Sequence, residues 1–479
     1  FKSLGLQPGW HGKYFQPVPL TELTAQPADL TVTGHDKTTT LKYLRDQVVV
    51  TKREQATVEI KDSPMVFVGY GIDAPAFHWN DFAGIDMHGK TLIVLVNDPG
   101  YDNPKLFHGR NMTYYGRWTY KYEEAARQGA AAVLIVHQTG PAGYGWEVVQ
   151  NGWSGNQFEI TRADKTMGRA GVEGWITLSV AKQLFKQAGL DFSKLSAAAD
   201  QTGFKPVPLG LSLSLSLHSK IAHKTSHNVI AMLPGSSHPE QAVIYSAHWD
   251  HFGANPTLKG DNILNGAIDD GSGITSLLAQ AKAFSLLKPK PARSLVFLAT
   301  TSEEQGLLGA QYYAEHPLVP LATTVADINM DIMNVYGKTR DITVVGFGKS
   351  QMEDRLRTAA KSEGLGIVPD ANPATGMFYR TDLFEFAKRG VPGIVTSSGL
   401  DYVGHADGWG KQKWANYFAN IYHHPNDEFD PNWDLSGLVQ QNRTLFRLGY
   451  TLVTTDAWPQ WYADVSFRAV RLKSADQRH

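Results

Sequence analysis

After the segment SHNVIAMLPG, short apolar runs alternate with segments whose apolar residues recur at helical spacing. The runs AVIYSA, LVFLAT and GIVTSS are typical of buried strands, whereas ITSLLAQAKAFSLL and QMEDRLRTAAKSEG are typical of amphipathic helices. Strands that alternate with helices indicate a mostly parallel sheet covered on both faces. The pattern therefore predicts an α/β fold with a mixed, mostly parallel sheet and helices on both of its faces.

The part of the chain before this segment has a different, more β-rich pattern. From Met65 it reads as strand, strand, helix and strand, in the segments MVFVGYGI, KTLIVLVNDPG, TYKYEEAARQG and AAVLIVH. The alternating segment LGLSLSLSLHSK predicts a long exposed strand that closes this region. We expect an inserted β-rich domain over residues 51–205, with residues 1–50 and 206–479 together forming the α/β domain.

Composition and charge exclude several classes of function. Lys+Arg 45 and Asp+Glu 46 give a formal net charge of -1, which offers no electrostatic footprint for nucleic acid or a membrane surface. No apolar stretch reaches the roughly 18 residues that a membrane-spanning helix needs. With 0 cysteines, thiolate metal sites, disulfides and cysteine nucleophiles are excluded. The sequence gives no indication of the oligomeric state.

The missing cysteines also bear on localisation. Their absence fits a compartment in which thiols oxidise, and the chain begins with Phe1 rather than with methionine. We therefore expect a secreted or periplasmic protein of bacterial type from which a signal peptide has been removed.

Acidic and histidine side chains follow the predicted strands of the α/β domain. They stand in HWD, GAIDDGSG, TTSEEQG, NMD and IYHHPND, at His248, Asp250, Asp269, Asp270, Glu303, Glu304, Asp331, His423 and His424. Taken singly, each has an ordinary structural explanation as a helix cap, a surface turn or a solvated loop residue.

Together these residues predict a metal site. The carboxyl ends of neighbouring parallel strands open into one crevice, so several carboxylates would meet there. Each close pair would repel by about 4 kcal/mol at a surface-like effective dielectric constant, and no Lys or Arg lies between Gln241 and Pro256. Nitrogen and carboxylate ligands without sulfur suit zinc in a catalytic site that keeps a position for water. Two histidines with several carboxylates suffice for two Zn²⁺ ions that share a bridging carboxylate.

In their order along the chain, these motifs resemble those of the co-catalytic dizinc aminopeptidases of the M28 family. The resemblance implies that Asp269 bridges two zinc ions, and that Glu303 is the general base that accepts a proton from the attacking water. It implies four further metal ligands, namely His248, Glu304, Asp331 and His423.

The resemblance also assigns supporting roles. Tyr422 would donate a hydrogen bond to the oxyanion of the reacting carbonyl. Asp250 would orient the imidazole of the neighbouring candidate ligand, and Asp270 would support the site through a cis peptide bond with the residue before it. His251 and His424 receive ordinary structural roles, because the motifs place the ligands at the other histidine of each pair.

The predicted insert resembles a protease-associated (PA) domain carried by an M28 peptidase. The segments VFVGYGI, FHWNDFAGIDMHGKTLIVLVNDPG and YEEAARQGAAAVLIVH carry this resemblance. It implies a domain without catalytic residues that flanks the substrate cleft. The aromatic and basic segment HGRNMTYYGRWTYKY would either reach over the site or form a solvated loop with a half-buried helix.

Four functional hypotheses follow. The first is a zinc-dependent exopeptidase, specifically an aminopeptidase that acts on peptides. The second is a dizinc peptidase of the glutamate-carboxypeptidase type, which needs a basic pocket that Arg380 or Arg110 would supply. The third is a single-zinc glutaminyl cyclase, although the Asp269–Asp270 pair favours the two-metal peptidases. The fourth is a non-catalytic, receptor-like relative, which should have lost ligand positions that are all present here.

Overall fold

The computed structural model describes residues 1–254 and 259–478, which form two compact units. The α/β unit comprises Phe1–Val18, Thr225–Ala371 and Met377–His479, and the inserted unit comprises Pro19–Lys224 and Asn372–Gly376. The insert predicted at residues 51–205 lies within the inserted unit, which is longer at both ends. The assignment of this unit as a PA domain stays a prediction.

The strands are named in chain order. They are β1 (Gln7–Pro8), β2 (Phe15–Ala25), β3 (Leu30–Gly34), β4 (Lys37–Leu41), β5 (Gln47–Val50), β6 (Thr57–Phe67), β7 (Asp73–Ala74), β8 (Trp79–Asn80), β9 (Thr91–Leu95), β10 (Ala132–His137), β11 (Asn156–Ile160), β12 (Val172–Thr177), β13 (Val207–Leu233), β14 (His238–His248), β15 (Gly253–Ala254), β16 (Ile263–Leu264), β17 (Arg293–Thr300), β18 (Thr324–Asn329), β19 (Asp341–Val345), β20 (Gly366–Pro369) and β21 (Gly393–Ser398).

The α-helices are named in the same way. They are α1 (Trp118–Arg127), α2 (Thr139–Ala142), α3 (Trp146–Trp153), α4 (Leu178–Gln187), α5 (Phe192–Ala199), α6 (Gly271–Ser285), α7 (Leu308–Glu315), α8 (Met352–Lys361), α9 (Leu383–Lys388), α10 (Trp409–Asn420), α11 (Ser436–Thr454) and α12 (Phe467–Leu472). Among the described residues, none of these helices is long and apolar enough to cross a membrane.

The sheet of the α/β unit has the predicted mixed character. Its order is β1-β13-β17-β14-β18-β21-β19-β20. The central strands β17, β14, β18 and β21 are parallel to one another, whereas β13 runs antiparallel to β17 and β19 runs antiparallel to β21. The prediction of a mixed, mostly parallel sheet is confirmed.

Helices cover both faces of this sheet. Alternate residues of a strand point to opposite faces, so Tyr245 of β14 packs into a core cluster with Phe284 of α6 and Leu445 of α11. Its neighbour Ile244 packs into a second cluster with Tyr313 of α7 and further residues from α9. Each fully buried side chain of this size contributes about 1.5–3 kcal/mol. The two clusters therefore hold the strands in one register.

This register brings the carboxyl ends of the central strands to one edge. His248, the last residue of β14, lies opposite Thr300, the last residue of β17. On the other side, Ser246 of β14 lies opposite Asn329, the last residue of β18. The loops that follow these three strands therefore start side by side.

The inserted unit is built around a second sheet. Strands β6, β9, β10 and β12 run parallel in that order, β5 pairs antiparallel with β12, and β13 pairs antiparallel with β6 and β3. The strand predicted over residues 209–220 is present, but the expectation that it is exposed is wrong for one of its two faces. Leu211 and Leu213 of β13 are buried in the core of this unit, and only the alternating polar positions are more exposed.

Candidate metal centre

The loops after the central strands of the α/β unit bring the predicted ligands together. His248 ends β14, Asp269 stands two residues before α6, and Glu304 lies in the turn after β17. Asp331 follows β18, and His423 lies in the loop after α10. The structure therefore collects at one place five residues that the sequence spreads over about a third of the chain.

Asp269 lies between two histidines. Its Oδ1 atom is 3.1 Å from Nε2 of His248, and its Oδ2 atom is 3.2 Å from Nε2 of His423. His423 Nε2 is also 3.3 Å from Oε2 of Glu304, and His248 Nε2 is 3.9 Å from Oδ1 of Asp331. Ligand atoms that surround a tetrahedral zinc ion at its usual bond lengths are about 3.3 Å apart. Most of these spacings are those of ligands around an ion, and each oxygen of Asp269 faces a different histidine.

Several of these ligand atoms lack any hydrogen-bond partner. Buried atoms without one include Asp269 Oδ2, Glu304 Oε1, Asp331 Oδ1 and His423 Nε2. Within residues 1–254 and 259–478, no ion pair joins a Lys or Arg side chain to these three carboxylates. Leaving a buried polar atom unpaired costs about 1–3 kcal/mol, and more for a charged group. Divalent cations would satisfy all of these atoms, so the residues fit the predicted metal ligands.

The electrostatics of the cluster also indicate missing positive charge. Burial and then the charge of Asp269 raise the pKa of Glu304 well above its ordinary value. Burial likewise raises the pKa of Asp331 to about 7. Burial opposes the charged form of His248, but nearby carboxylates, led by Glu303, outweigh it and hold the pKa of His248 well above its ordinary value. These directions are typical of carboxylates that repel one another in a site of low dielectric.

Glu303 lies beside the cluster without belonging to it. Its Oε2 atom is 3.9 Å from Nε2 of His248. Two groups of side chains have metal-binding geometry, namely His248 with Asp270 and Asp331, and His251 with Asp269 and Glu304; neither Glu303 nor His423 belongs to them. Burial and then the charges of Asp331 and Asp382 raise the pKa of Glu303 well above its ordinary value. A carboxylate in this position can exchange a proton.

Asp270 supports the site through its hydrogen bonds. One carboxylate oxygen accepts from the backbone N–H of His248 at 3.1 Å, and the other accepts from the N–H of Gly273 at 2.9 Å and so caps α6. The Asp269–Asp270 peptide bond is cis, as the family resemblance implies. Because both oxygens have donors, we place Asp270 in the supporting role predicted for it.

Asp250 acts differently from the prediction. Its side chain was expected to orient the imidazole of His248, but Nδ1 of His248 lies 3.1 Å from the backbone oxygen of Asp250 and 3.8 Å from its carboxylate. The carboxylate instead accepts from the backbone N–H groups of Glu303 at 3.0 Å and Glu304 at 3.3 Å. Asp250 therefore fixes the turn that carries the two glutamates, while its carbonyl orients the histidine.

Left-handed backbone conformations also occur close to the cluster. Ser302, Ile332 and His423 have φ values of 54°, 52° and 60°. Such values are uncommon outside glycine, and an isoleucine there is a clear outlier. Strained residues of this kind persist where the surrounding structure determines them, often at functional sites.

Two buried carboxylates were missed by the sequence analysis. Asp427 accepts from the backbone N–H groups of Ile268 at 2.9 Å and Asp269 at 3.2 Å, and so ties the loop of His423 to the loop of Asp269. It ends the quoted motif IYHHPND, which was an available signal. Asp382 accepts a hydrogen bond from Thr300. Its only local signal was its place directly before α9.

Tyr422 stacks on the ring of His423, with ring centres 3.6 Å apart. Burial and then the charge of Asp269 raise the pKa of Tyr422 well above its ordinary value. The phenol therefore stays protonated and can donate a hydrogen bond. Its predicted contact with an oxyanion stays a prediction.

The two histidines that received structural roles differ from each other. His424 is exposed, as expected for a residue outside the site. His251 lies in the cluster, with Nδ1 2.7 Å from Oε1 of Glu304, and burial lowers the pKa of His251 to about 4. An ordinary structural role for His251 does not account for this position.

The comparison with known families agrees with this geometry. Residues 228–446 match the sequence pattern of peptidase family M28. The chain contains an M28 peptidase domain. The match includes every predicted ligand, Glu303 and Tyr422, and it covers the greater part of the α/β unit.

The alignments with individual relatives are longer than this M28 domain. The chain is 31% identical over 249 residues to a probable leucine aminopeptidase 2 of Aspergillus oryzae, a match that covers 49% of this chain and 47% of the relative. It is 26% identical over 329 residues to carboxypeptidase Q of Xenopus laevis, covering 67% of this chain and 59% of the relative. The chain thus spans less than two thirds of the length of these relatives.

Among solved structures, an aminopeptidase from Aneurinibacillus sp. strain AM-1 aligns with 97% of this chain and 87% of its own. The identity is 18% and the TM-score is 0.48.

Proposed function

We propose that this chain is a zinc-dependent exopeptidase, specifically an aminopeptidase that removes N-terminal residues from peptides. The observation that carries the proposal is Asp269, whose two oxygens face two different histidines with no hydrogen bond to Oδ2. Such a carboxylate suits a bridge between two cations. The M28 domain supports peptide-bond hydrolysis as the reaction.

Two groups of side chains would hold two Zn²⁺ ions. His248 and Asp331 would bind one ion, Glu304 and His423 would bind the other, and Asp269 would bridge them. When bound, the ions would lower the pKa of a water molecule, polarise the scissile carbonyl and offset the negative charge that develops on it.

Protein side chains perform the remaining steps. Glu303 accepts a proton from the attacking water and then transfers it to the leaving amine, which its place beside His248 permits. Asp250 holds this glutamate by its backbone N–H group. Tyr422 donates a hydrogen bond to the oxyanion.

The acidity of the site favours a substrate with a free α-amino group. At this site, burial and the neighbouring negative charges oppose the ionised forms of Glu303 and Glu304. An ammonium group placed there would favour the ionised forms of these side chains and gain a Coulomb interaction with them. A free carboxylate would be repelled unless a cation offset the repulsion.

A glutamate-carboxypeptidase-like activity is the second candidate. The positive charge of Arg380 acts on Tyr422 and partly opposes the rise in its pKa, so a guanidinium lies within electrostatic range of the site. Arg110, the other predicted cation, packs over the ring of Tyr101 in the inserted unit, 4.7 Å from its centre. A single-zinc glutaminyl cyclase and a receptor-like protein without metals fit less well, because all five ligand positions converge.

The proposal extends to the inserted unit and to the location of the protein. We assign residues 51–205 of the inserted unit to a PA domain without catalytic residues, on the strength of the motifs quoted for it. The 0 cysteines support a secreted or periplasmic location.

The test combines metal analysis with a panel of substrates. Protein purified without chelator is expected to carry two zinc ions per chain and to hydrolyse aminoacyl p-nitroanilides and unblocked peptides. N-acetylation should abolish hydrolysis, whereas amidation of the peptide carboxyl end should leave it intact. If amidation of the carboxyl end abolished hydrolysis and N-acetylation did not, the activity would be that of a carboxypeptidase. The absence of both bound metal and hydrolysis would refute the proposal that the chain is an enzyme.

A further inference from the structure

His251 is a buried histidine that has no role in the predicted ligand set or in the proposed mechanism. It lies three residues after His248, and its side chain is 7% exposed. Both of its ring nitrogens are buried without a hydrogen-bond partner. Its ring contacts those of Phe252 and His423, with centres 5.2 Å and 5.8 Å away.

The imidazole of His251 faces two predicted metal ligands. Its Nδ1 atom is 2.7 Å from Oε1 of Glu304, yet the two atoms lack hydrogen-bond alignment, and Oε1 also has no other partner. Ligand atoms of His251, Asp269 and Glu304 all lie within 4.8 Å of one another. Unpaired nitrogen and oxygen atoms that converge in this way are the donor set that zinc prefers.

We propose that His251 is a further protein ligand of the cation held by Asp269, Glu304 and His423. The proposal rests on the proposed function, since it adds a ligand to one of the two metal sites named there. It makes the two sites unequal. One site has four protein ligands, two of them imidazoles, and the other has His248, Asp269 and Asp331.

This inequality divides the roles of the two positions. Structural zinc sites in proteins use four protein ligands, whereas catalytic zinc sites use three and keep a position open. The position with His251 therefore anchors its ion, and the position with His248 and Asp331 is the one that is open to water and substrate. Glu303 lies on this open side, 3.9 Å from His248.

A simpler role for His251 is to orient Glu304 through a hydrogen bond, and two variants separate the roles. The variant His251→Gln keeps a donor that can reach a carboxylate but supplies a poor metal ligand, and His251→Ala removes both functions. His424→Ala is the matched control, because His424 is an exposed histidine beside a predicted ligand. The chain freed of metal is titrated with Co²⁺, whose visible absorption reports the number and type of its ligands.

We expect both His251 variants to weaken one of the two cobalt sites by more than about 100-fold, beyond the 10–100-fold typical of residues that only orient a ligand. They should also change its absorption spectrum, while His424→Ala matches the parent. A His251→Gln variant with the parent's affinity and spectrum would overturn the proposal in favour of the orienting role, and two unchanged His251 variants would overturn it outright.

X-ray absorption of the zinc-loaded parent tests the proposal without any variant, in case the substitutions prevent folding. Three imidazoles for every two zinc ions support it, and two imidazoles contradict it. Failure of the proposed function has a separate signature, because the parent chain would then bind neither zinc nor cobalt and would hydrolyse no peptide. A parent that binds two ions and hydrolyses peptides, with only two imidazoles, loses the His251 assignment alone.

Discussion

The two units of the chain bury carboxylates in different ways. In the inserted unit, Glu173 is held by Arg169 through two hydrogen bonds of 2.8 Å and 2.7 Å. Asp98 in the same unit accepts from the N–H of Gly100 and from both the N–H and the hydroxyl of Thr113. These groups are paired within the protein, as buried charges usually are.

The cluster of predicted ligands in the α/β unit shows the opposite arrangement. Oδ2 of Asp269, Oε1 of Glu304 and Oδ1 of Asp331 are all buried without a hydrogen bond. Unpaired carboxylate oxygens that converge are the arrangement expected of ligands for a cation. Burial of an acidic group does not distinguish a structural residue from a ligand, but unpaired oxygens that converge do, because no Lys or Arg among the described residues forms an ion pair with them.

The first prediction, with the largest effect, separates ligands from other acids within the α/β unit. Glu303→Gln should lower kcat about a thousandfold, the scale of general-base catalysis, because an amide cannot accept the proton. Zinc content should stay at the parent value, since Glu303 is not one of the five predicted ligands. The exposed Glu428→Gln is the control. Turnover near the parent rate would show that the base is another residue.

The second prediction concerns the bridge. Asp269→Asn should weaken metal binding at least about 100-fold, as expected for loss of a ligand rather than of a supporting group, because a neutral amide is a poor bridge between two cations. The number of zinc ions per chain after dialysis measures the effect. Two ions retained in this variant would refute the bridging role.

The third prediction tests the paired carboxylates of the inserted unit. Arg169→Met leaves the buried Glu173 without its guanidinium and should lower the free energy of unfolding of this unit by about 2 kcal/mol. This is less than the 3–5 kcal/mol of a fully buried pair, because Arg169 is 30% exposed. Denaturant unfolding measures the change, and Lys42→Met, which breaks a solvated pair with Asp29, is the control. A loss of zinc in the Arg169 variant would contradict the conclusion that the paired carboxylates of the inserted unit take no part in metal binding.

The fourth prediction, with the smallest effect, concerns a carboxylate of the α/β unit that is fully paired. Asp427→Asn turns one acceptor towards the N–H groups of Ile268 and Asp269 into a donor, so the Asp269 loop should shift. We expect zinc affinity to fall about tenfold, as for other residues that orient ligands. Asp430→Asn, an exposed acid in the same loop, should bind zinc as the parent does. An unchanged affinity would show that Asp427 only closes its loop.

The sequence predicts those parts of the fold and site that depend on local pattern. The strands of the α/β unit follow from apolar runs, and the meeting of their carboxyl ends follows from parallel pairing. Hence a cluster of acidic and histidine side chains could be predicted at this edge of the sheet. The resemblance to a known family then singled out His248, Asp269, Glu304, Asp331 and His423 as the ligands. It also added Glu303 as the base.

Other features depend on contacts between distant parts of the chain. Strand β3 joins the inserted unit by pairing with Ser212–Ser214 of β13, which no local pattern indicates, so the boundary at residue 51 left it out. The carboxylate of Asp250 turned out to hold the Glu303–Glu304 turn because that turn folds back towards β14. His251 was passed over because its burial beside Glu304 is visible only in three dimensions.

The separation of the ligands along the chain, from His248 to His423, affects the stability of the protein. An unfolded chain cannot present these side chains at one point, so ions would bind almost solely to the folded form. A ligand of this kind raises the free energy of unfolding by mass action, by about 2.7 kcal/mol for each site at a free concentration one hundred times its Kd, and so raises the melting temperature. The melting temperature of the α/β unit would then depend on the concentration of free zinc around the protein. A chelator would lower that temperature without changing the covalent structure of the chain.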